Sequence, residues 1–168
     1  LFICGSVNSA SCSGQADCYT QTKQGCATNL NDLSLDYLDM IMLDYPSNDC
    51  DSIVGQWAAF EEMLAAKKTK SIAVSNFSPD QLDCIVKNKT ATVPALNQMS
   101  YSVGHGSDTT VADNAARGGI IVQAYSPLGS GSLASDPDCT TIGKKYTKSS
   151  AQVALKWILQ RNATFSTN

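Results

Sequence analysis

An α/β fold with a parallel sheet is what this sequence predicts, on three observations. Short apolar runs recur at Ser71-Ile72-Ala73-Val74, Ala95-Leu96 and Gly119-Ile120-Ile121-Val122-Gln123-Ala124. Each run ends in a small polar cluster: Ser75-Asn76, Asn97-Gln98 and Tyr125-Ser126. Helix-forming patterns separate the runs. Apolar strands with polar residues at their C-terminal ends, repeated between helices, are how a parallel α/β barrel presents a site. A doubly wound open sheet would place a helix directly after the first strand, usually behind a phosphate loop. No GxGxxG and no Walker pattern occurs.

Leu1-Phe2-Ile3-Cys4 reads as a short buried strand. From Gly5 to Asn31 the pattern fails. Ser, Gly, Gln, Thr, Asn and Cys dominate this atypical segment, which predicts a loop or a weak, polar helix. Tyr37 to Leu43 is the next strand. It stops at Asp44-Tyr45-Pro46, because proline cannot donate to a ladder and restricts the residue before it. Asp51 or Ser52 is a candidate cap for the helix that follows. Ile53, Trp57, Phe60 and Leu64 then recur at spacings of one helical face, and Trp57 is expected to face the core.

Strand Ser71–Val74 leads to Ser78-Pro79-Asp80. Ser78 suits a cap there and Pro79 a first helical position. Leu82, Ile85 and Val86 form the apolar side of that helix. A strand over Val93–Gln98 comes next, then a loop over Ser100–Thr110. A short helix through Val111 and Ala115 ends near Gly118-Gly119. Strand Ile120–Tyr125 opens into Ser126-Pro127-Leu128-Gly129-Ser130-Gly131-Ser132, a long flexible segment by composition. Two helices follow, over about Pro137–Tyr146 and from Ser149 or Ser150 to Ile158, before a last strand at Ala163–Ser166.

With 168 residues, the chain is one domain by length, and 43% hydrophobic content suits a globular core. Charged residues are only 16% and net charge is −3, which argues against a nucleic-acid partner. No apolar run approaches the roughly 20 residues of a membrane-spanning helix. No signal or transit peptide is evident. The chain begins at Leu1 rather than Met, so residue 1 is not expected to be the start of translation. Seven cysteines, no CxxC and a single His105 argue against zinc. Free thiols, rather than disulfides, are the expectation, and an odd count leaves at least one unpaired. Asn88-Lys89-Thr90 and Asn162-Ala163-Thr164 fit the glycosylation triplet.

Several motifs together resemble the aldo-keto reductases. Leu35 to Asp39 with Met42-Leu43-Asp44-Tyr45-Pro46 is similar to that family's fourth strand. Trp57-Ala58-Ala59-Phe60-Glu61-Glu62-Met63 resembles the helix after it. Ala73-Val74-Ser75-Asn76-Phe77, Asn97-Gln98, Ala124-Tyr125-Ser126-Pro127-Leu128-Gly129 and Ser150 to Trp157 complete the series, and Leu1-Phe2-Ile3 suits strand three. The resemblance implies a (β/α)8 TIM-type barrel, here incomplete with about six of eight strands. It implies carbonyl reduction with NADP(H). By the resemblance, Ser75, Asn76 and Gln98 would bind the nicotinamide carboxamide, a group that needs both donors and acceptors. Tyr125 would stack on the ring, and Ser126, Leu128 and Ser130 would wrap the diphosphate. Plain turn chemistry after strands is the competing reading of these residues.

The sequence departs from the family pattern at the reacting end. The family's catalytic Tyr and Asp lie after strand two, ahead of the first residue here. Its catalytic Lys falls at Ser6 and its His at Asp44. Serine carries no charge to lower a tyrosine pKa. An ionised Asp accepts rather than donates, and it opposes the oxyanion that forms as hydride arrives; loss of one such donor costs about 10²–10³ in rate. The family's Lys-Ser pair for the 2′-phosphate falls near Phe165-Ser166-Thr167-Asn168, where no cation stands. The expectation is therefore a catalytically inactive domain with weak NADP(H) binding. It would serve as a structural or interaction subunit docked on a protein partner. The alternative is an NADP(H)-dependent reductase of a small-molecule aldehyde or ketone, with its Tyr and Asp upstream of residue 1.

Overall fold

The computed structural model describes residues 1–87 and 92–167. Six strands alternate with helices: β1 (Cys4–Val7), α1 (Gln15–Leu33), β2 (Met40–Asp44), α2 (Cys50–Ala65), β3 (Ile72–Ser75), α3 (Pro79–Val86), β4 (Leu96–Ser100), α4 (Thr110–Ala115), β5 (Ile121–Tyr125), α5 (Pro137–Tyr146), α6 (Ser150–Gln160) and β6 (Thr164–Phe165). The expected α/β class and strand count are both found. Contacts group the chain into two compact units. One holds Leu1–Asn97 with Arg117–Ile120; the other holds Gln98–Ala116 with Ile121–Asn168.

In the first unit β1, β2 and β3 are parallel neighbours. Ser6 pairs with Met42, and Asp44 with Ser75. One face of these strands carries Ile41, Leu43, Ile72 and Val74, which join Ile53, Trp57, Phe60, Leu82 and Ile85 from α2 and α3 in the main core. The other face carries Met40, Met42 and Ala73. By strand alternation Ser6, Asp44 and Ser75 lie on that second face, at the C-terminal ends. In the second unit β5 and β6 are parallel, and Val122, Ala124, Ile158, Ala163 and Tyr101 form the core. Tyr101 stacks on Trp157 with ring centroids 5.4 Å apart.

Trp57 faces the core, 2% exposed, and its indole N–H donates to the Thr92 carbonyl at 2.9 Å. Ser78 caps α3 in a reciprocal capping box with Gln81, and Pro79 takes the first turn, as the sequence predicts. Other expectations are corrected. The Gly5–Asn31 segment, read as a loop or a weak, polar helix, contains most of α1, a polar helix of 19 residues; that alternative holds, and the expectation that no helix follows the first strand does not. Its buried face is Cys18, Thr22 and Cys26, at four-residue spacing. Cys26 and Leu30 pack it against the main core, and polar contacts add to this. Ser9 and Thr22 share a 2.6 Å hydrogen bond. Gln56 of α2 donates to Ser9 and accepts from the Ser47 N–H.

Strand β1 starts at Cys4 rather than Leu1. The cap of α2 is Asp49, whose carboxylate accepts from the Ser52 N–H, rather than Asp51 or Ser52. Strand β4 lies at Leu96–Ser100, later than the expected Val93–Gln98. The segment expected to be flexible after Tyr125 includes a kinked 3₁₀ turn, Gly129–Ala134, anchored by buried Leu133. Four of the cysteines expected to be free are paired, Cys12 with Cys18 and Cys50 with Cys84; Cys4, Cys26 and Cys139 are thiols. Proximity in the fold decides this pairing, since Cys50 and Cys84 sit 34 residues apart on adjacent helices. The Asn88-Lys89-Thr90 triplet and Asn168 lie outside the described residues. No described helix is long and apolar enough to cross a membrane, and no described cluster of His, Cys, Asp and Glu could hold a metal ion.

Candidate cofactor site

In the first unit the site residues follow β3. Ser75 is its buried last residue. Asn76 then takes φ 62°, a left-handed conformation that Asn tolerates better than most residues. Its side-chain amide donates to the Ser75 hydroxyl at 3.0 Å. Phe77 is buried, and its main chain is gripped by Asn97. The Asn97 amide donates to the Phe77 carbonyl at 2.8 Å, and its side-chain oxygen accepts from the Phe77 N–H at 3.3 Å. This grip sets the Ser75-Asn76-Phe77 turn. The sequence places Asn97 in a strand-end polar cluster and assigns it no role. The signal was its position beside Gln98.

Asp44 ends β2 in register with Ser75. Tyr45 turns left-handed after it, at φ 64°, and its N–H donates to the Ser75 carbonyl at 3.3 Å. Ser6 lies one strand over, exposed, in register with Met42. The structure thus brings Ser6, Asp44, Ser75 and Asn76 to one end of one sheet face.

The second unit holds the remaining predicted residues. Gln98 on β4 donates its side-chain amide to the Gln123 side-chain oxygen on β5 at 2.7 Å, which fixes its orientation. Tyr125 ends β5. Ser126 at φ 50°, Ser130 at φ 54° and Gly131 at φ 95° fold the next loop into a wrap, with Gly129 and Gly131 N–H groups donating to the Ser126 and Leu128 carbonyls. Tyr125, Ser126, Pro127, Leu128, Ser130 and Gly131, with Ser166 and Thr167, line a cleft of about 400 Å³. Four predicted residues therefore share one cleft. It is rich in hydroxyls, and its lining includes neither Lys nor Arg.

These arrangements fit a nicotinamide dinucleotide unevenly. In the first unit Ser75 and Asn76, and in the second unit Gln98, each offer oriented donors and acceptors of the kind a neutral carboxamide needs. The hydroxyl-lined cleft suits a diphosphate. No cation lines it to meet a 2′-phosphate.

A model of the aldo/keto reductase family matches residues 18–167. The chain belongs to the aldo/keto reductase family. An aldo-keto reductase of Mycobacterium tuberculosis is 30% identical over 142 residues, covering 84% of this chain and 50% of the relative. A morphine 6-dehydrogenase of Pseudomonas putida is 31% identical, covering 86% and 52%. This chain thus spans about half the length of these curated relatives. Among solved structures, an aldo-keto reductase from a deep-sea metagenome library superposes with a TM-score of 0.86 at 26% identity, over 98% of this chain and 60% of that one. The aldo-keto reductase of the silkworm Bombyx mori gives 0.82 at 27% identity, over 99% and 54%; it has also been solved in complex with NADPH. The fold is therefore that of the family's barrel in part, with six of its strands.

Proposed function

We propose that this chain is an aldo-keto reductase domain that holds a nicotinamide dinucleotide weakly, does not reduce carbonyls, and serves as a structural or interaction part of a larger assembly. The register at the strand ends carries this reading: Asp44 pairs with Ser75, on the face that also presents Ser6. A bound cofactor supplies hydride at its nicotinamide ring. In the first unit Ser75 and Asn76 would offer donors and acceptors to the carboxamide; in the second unit Gln98 would do so, Tyr125 would stack on the ring, and Ser126, Leu128 and Ser130 would hold the diphosphate. In the first unit the Asp44 side chain, in register with Ser75, would oppose a developing oxyanion, and Ser6 brings no cation to assist a proton donor. The absence of a cation from the cleft lining supports weak affinity for the 2′-phosphate form.

The test is NADPH binding by fluorescence titration, together with NADPH oxidation in the presence of a small aldehyde. Weak binding without turnover is expected. Turnover that is lost on Asn76→Ala would overturn the inactive reading, and tight binding would overturn the weak-affinity reading. Sedimentation in an extract of the source cells tests the assembly role; migration as a lone chain would remove it. A second reading, NADP(H)-dependent reduction of aldehydes or ketones, is favoured by the Ser75–Phe77 turn and by relatives named as a reductase and a dehydrogenase. It would need a Tyr and an Asp from outside these residues.

A further inference from the structure

The two disulfides are placed differently. Cys12 and Cys18 are buried and close a six-residue separation, tying the segment ahead of α1 to its first turn. Cys50 and Cys84 join the first residue of α2 to the last turn of α3; Cys50 is exposed and Cys84 half-buried. They open into a surface hollow of about 340 Å³ lined by Cys50, Asp80, Asp83, Cys84 and Lys87. We propose that Cys50–Cys84 is a thiol–disulfide exchange site, at which a small uncharged dithiol opens the bridge and releases α3 from α2.

The exchange balances as follows. A thiolate of the dithiol attacks Cys84 Sγ through the hollow, forming a mixed disulfide and breaking the Cys50–Cys84 bond. The electron pair leaves on Cys50 Sγ. The dithiol's second thiol loses its proton and attacks its own sulfur in the mixed disulfide, releasing Cys84 as a thiolate that takes up a proton. The bridge gains two electrons and the dithiol becomes a cyclic disulfide. Cys50 is the better leaving sulfur, because it lies in the first turn of a 16-residue helix, whose free N–H groups and dipole favour negative charge. Of the acidic neighbours, the Asp49 carboxylate is engaged by the Ser52 N–H and hydroxyl, and Asp83 is paired with Arg117 and Lys87. Asp51 and Asp80 are left to repel anionic thiols, so a neutral dithiol is preferred. Cys26 does not compete from within: burial pushes its thiol up to about 12.

Release of α3 matters because this eight-residue helix directly follows the Ser75-Asn76-Phe77 turn. Helices this short are not stable alone. With the bridge open, α3 relies on Leu82, Ile85 and the Asp83–Arg117 pair. Any effect on cofactor binding rests on the proposed function above, so the deciding readouts are chemical and structural.

The test treats the full chain with graded dithiothreitol, identifies each reduced cysteine by differential alkylation and peptide mass spectrometry, and follows hydrogen exchange. Cys50 and Cys84 are expected to reduce while Cys12–Cys18 stays oxidised, with exchange rising at least tenfold across α3 and returning on reoxidation. Glutathione at equal thiol concentration should open the bridge more slowly. The Cys50→Ser/Cys84→Ser variant should show the fast exchange without dithiothreitol. Loop closure over 34 residues also predicts that it shifts the folded-to-unfolded ratio by roughly 500-fold. The Cys12→Ser/Cys18→Ser variant should retain the response. Reduction of Cys12–Cys18 first, glutathione acting as fast as dithiothreitol, or unchanged α3 exchange after Cys50–Cys84 opens would each overturn the proposal. So would a bridge that resists reduction until the chain unfolds.

Discussion

Asn97 is a buried side chain whose replacement separates two kinds of damage. It makes two hydrogen bonds to one peptide unit pair: its amide donates to the Phe77 carbonyl at 2.8 Å, and its oxygen accepts from the Phe77 N–H at 3.3 Å. Asn97→Ala leaves both main-chain groups without these partners in a dry place. Each costs about 1–3 kcal/mol, so the variant should lose ~2–6 kcal/mol. Asn97→Asp keeps the shape and the acceptor but exchanges the donor for a group that donates only when protonated. Ionised, it would aim a carboxylate oxygen at the Phe77 carbonyl. The folded state therefore favours the neutral acid, and the introduced carboxyl has a raised folded-state pKa. The native-like stability is present below the unfolded pKa of about 3.9 and is lost as pH rises through the folded value. Urea denaturation followed by tryptophan fluorescence at several pH values reads this directly. Asn97→Asp should track the natural chain in acid and fall away from it towards neutrality, while the deficit of Asn97→Ala should not depend on pH. An Asn97→Asp deficit that is the same in acid and at neutrality would refute the paired-donor reasoning.

Three further perturbations follow from the packing and charge. Gly55→Ala puts a methyl group into the Gln15 carbonyl where α1 crosses α2, and should cost more than ~2 kcal/mol in chemical denaturation, because the obstacle is backbone. Trp57→Phe removes the indole donor from the Thr92 carbonyl and should cost about 1–3 kcal/mol, whereas Trp57→Ala should cost about 3–5 kcal/mol through the cavity left among Phe60 and its neighbours. The Arg117 guanidinium, and then Lys87, hold the Asp83 carboxyl below its ordinary range. Its contribution is present above the unfolded pKa and disappears as pH falls through the lowered folded value. Asp83→Asn should therefore reduce the steepness of acid denaturation, seen by circular dichroism.

The elements that the sequence announced are those whose local chemistry is self-contained. Ser78, Pro79 and Gln81 carry the start of α3 within four residues, and the Ile53–Trp57–Phe60 stripe carries α2 by apolar period alone. Helix α1 was legible only as a loop or a weak, polar helix, because its buried face is Cys18, Thr22 and Cys26, and Thr22 is held by the polar Ser9. A period search on apolar residues does not register a face built this way. The Cys50–Cys84 bridge depends on how α2 and α3 pack, and no spacing encodes that. At the site, the strand-end position of Ser75 and Asn76 was legible, as was the turn chemistry after Tyr125. The contribution of Ser166 and Thr167 to the same cleft depends on β6 pairing with β5, which places residues more than 35 positions apart side by side.

The two walls of the first unit's site place different demands on side chains. At Ser75–Phe77 geometry comes from the main chain. Asn76 sits left-handed, Asn97 holds Phe77 from both sides, and small neutral groups suffice to meet a neutral amide. At Ser6 and Asp44, on the proposed reading, the demand is for charge, and main-chain geometry cannot supply it. A carboxylate about 4 Å from a developing oxyanion opposes it by ~4 kcal/mol at an effective dielectric constant near 20, which corresponds to roughly 10³ in rate. On the proposed reading, the first unit thus presents a turn suited to a carboxamide beside a wall that disfavours the reaction. Strand register alone sets Asp44 next to Ser75 and so puts the two in one site.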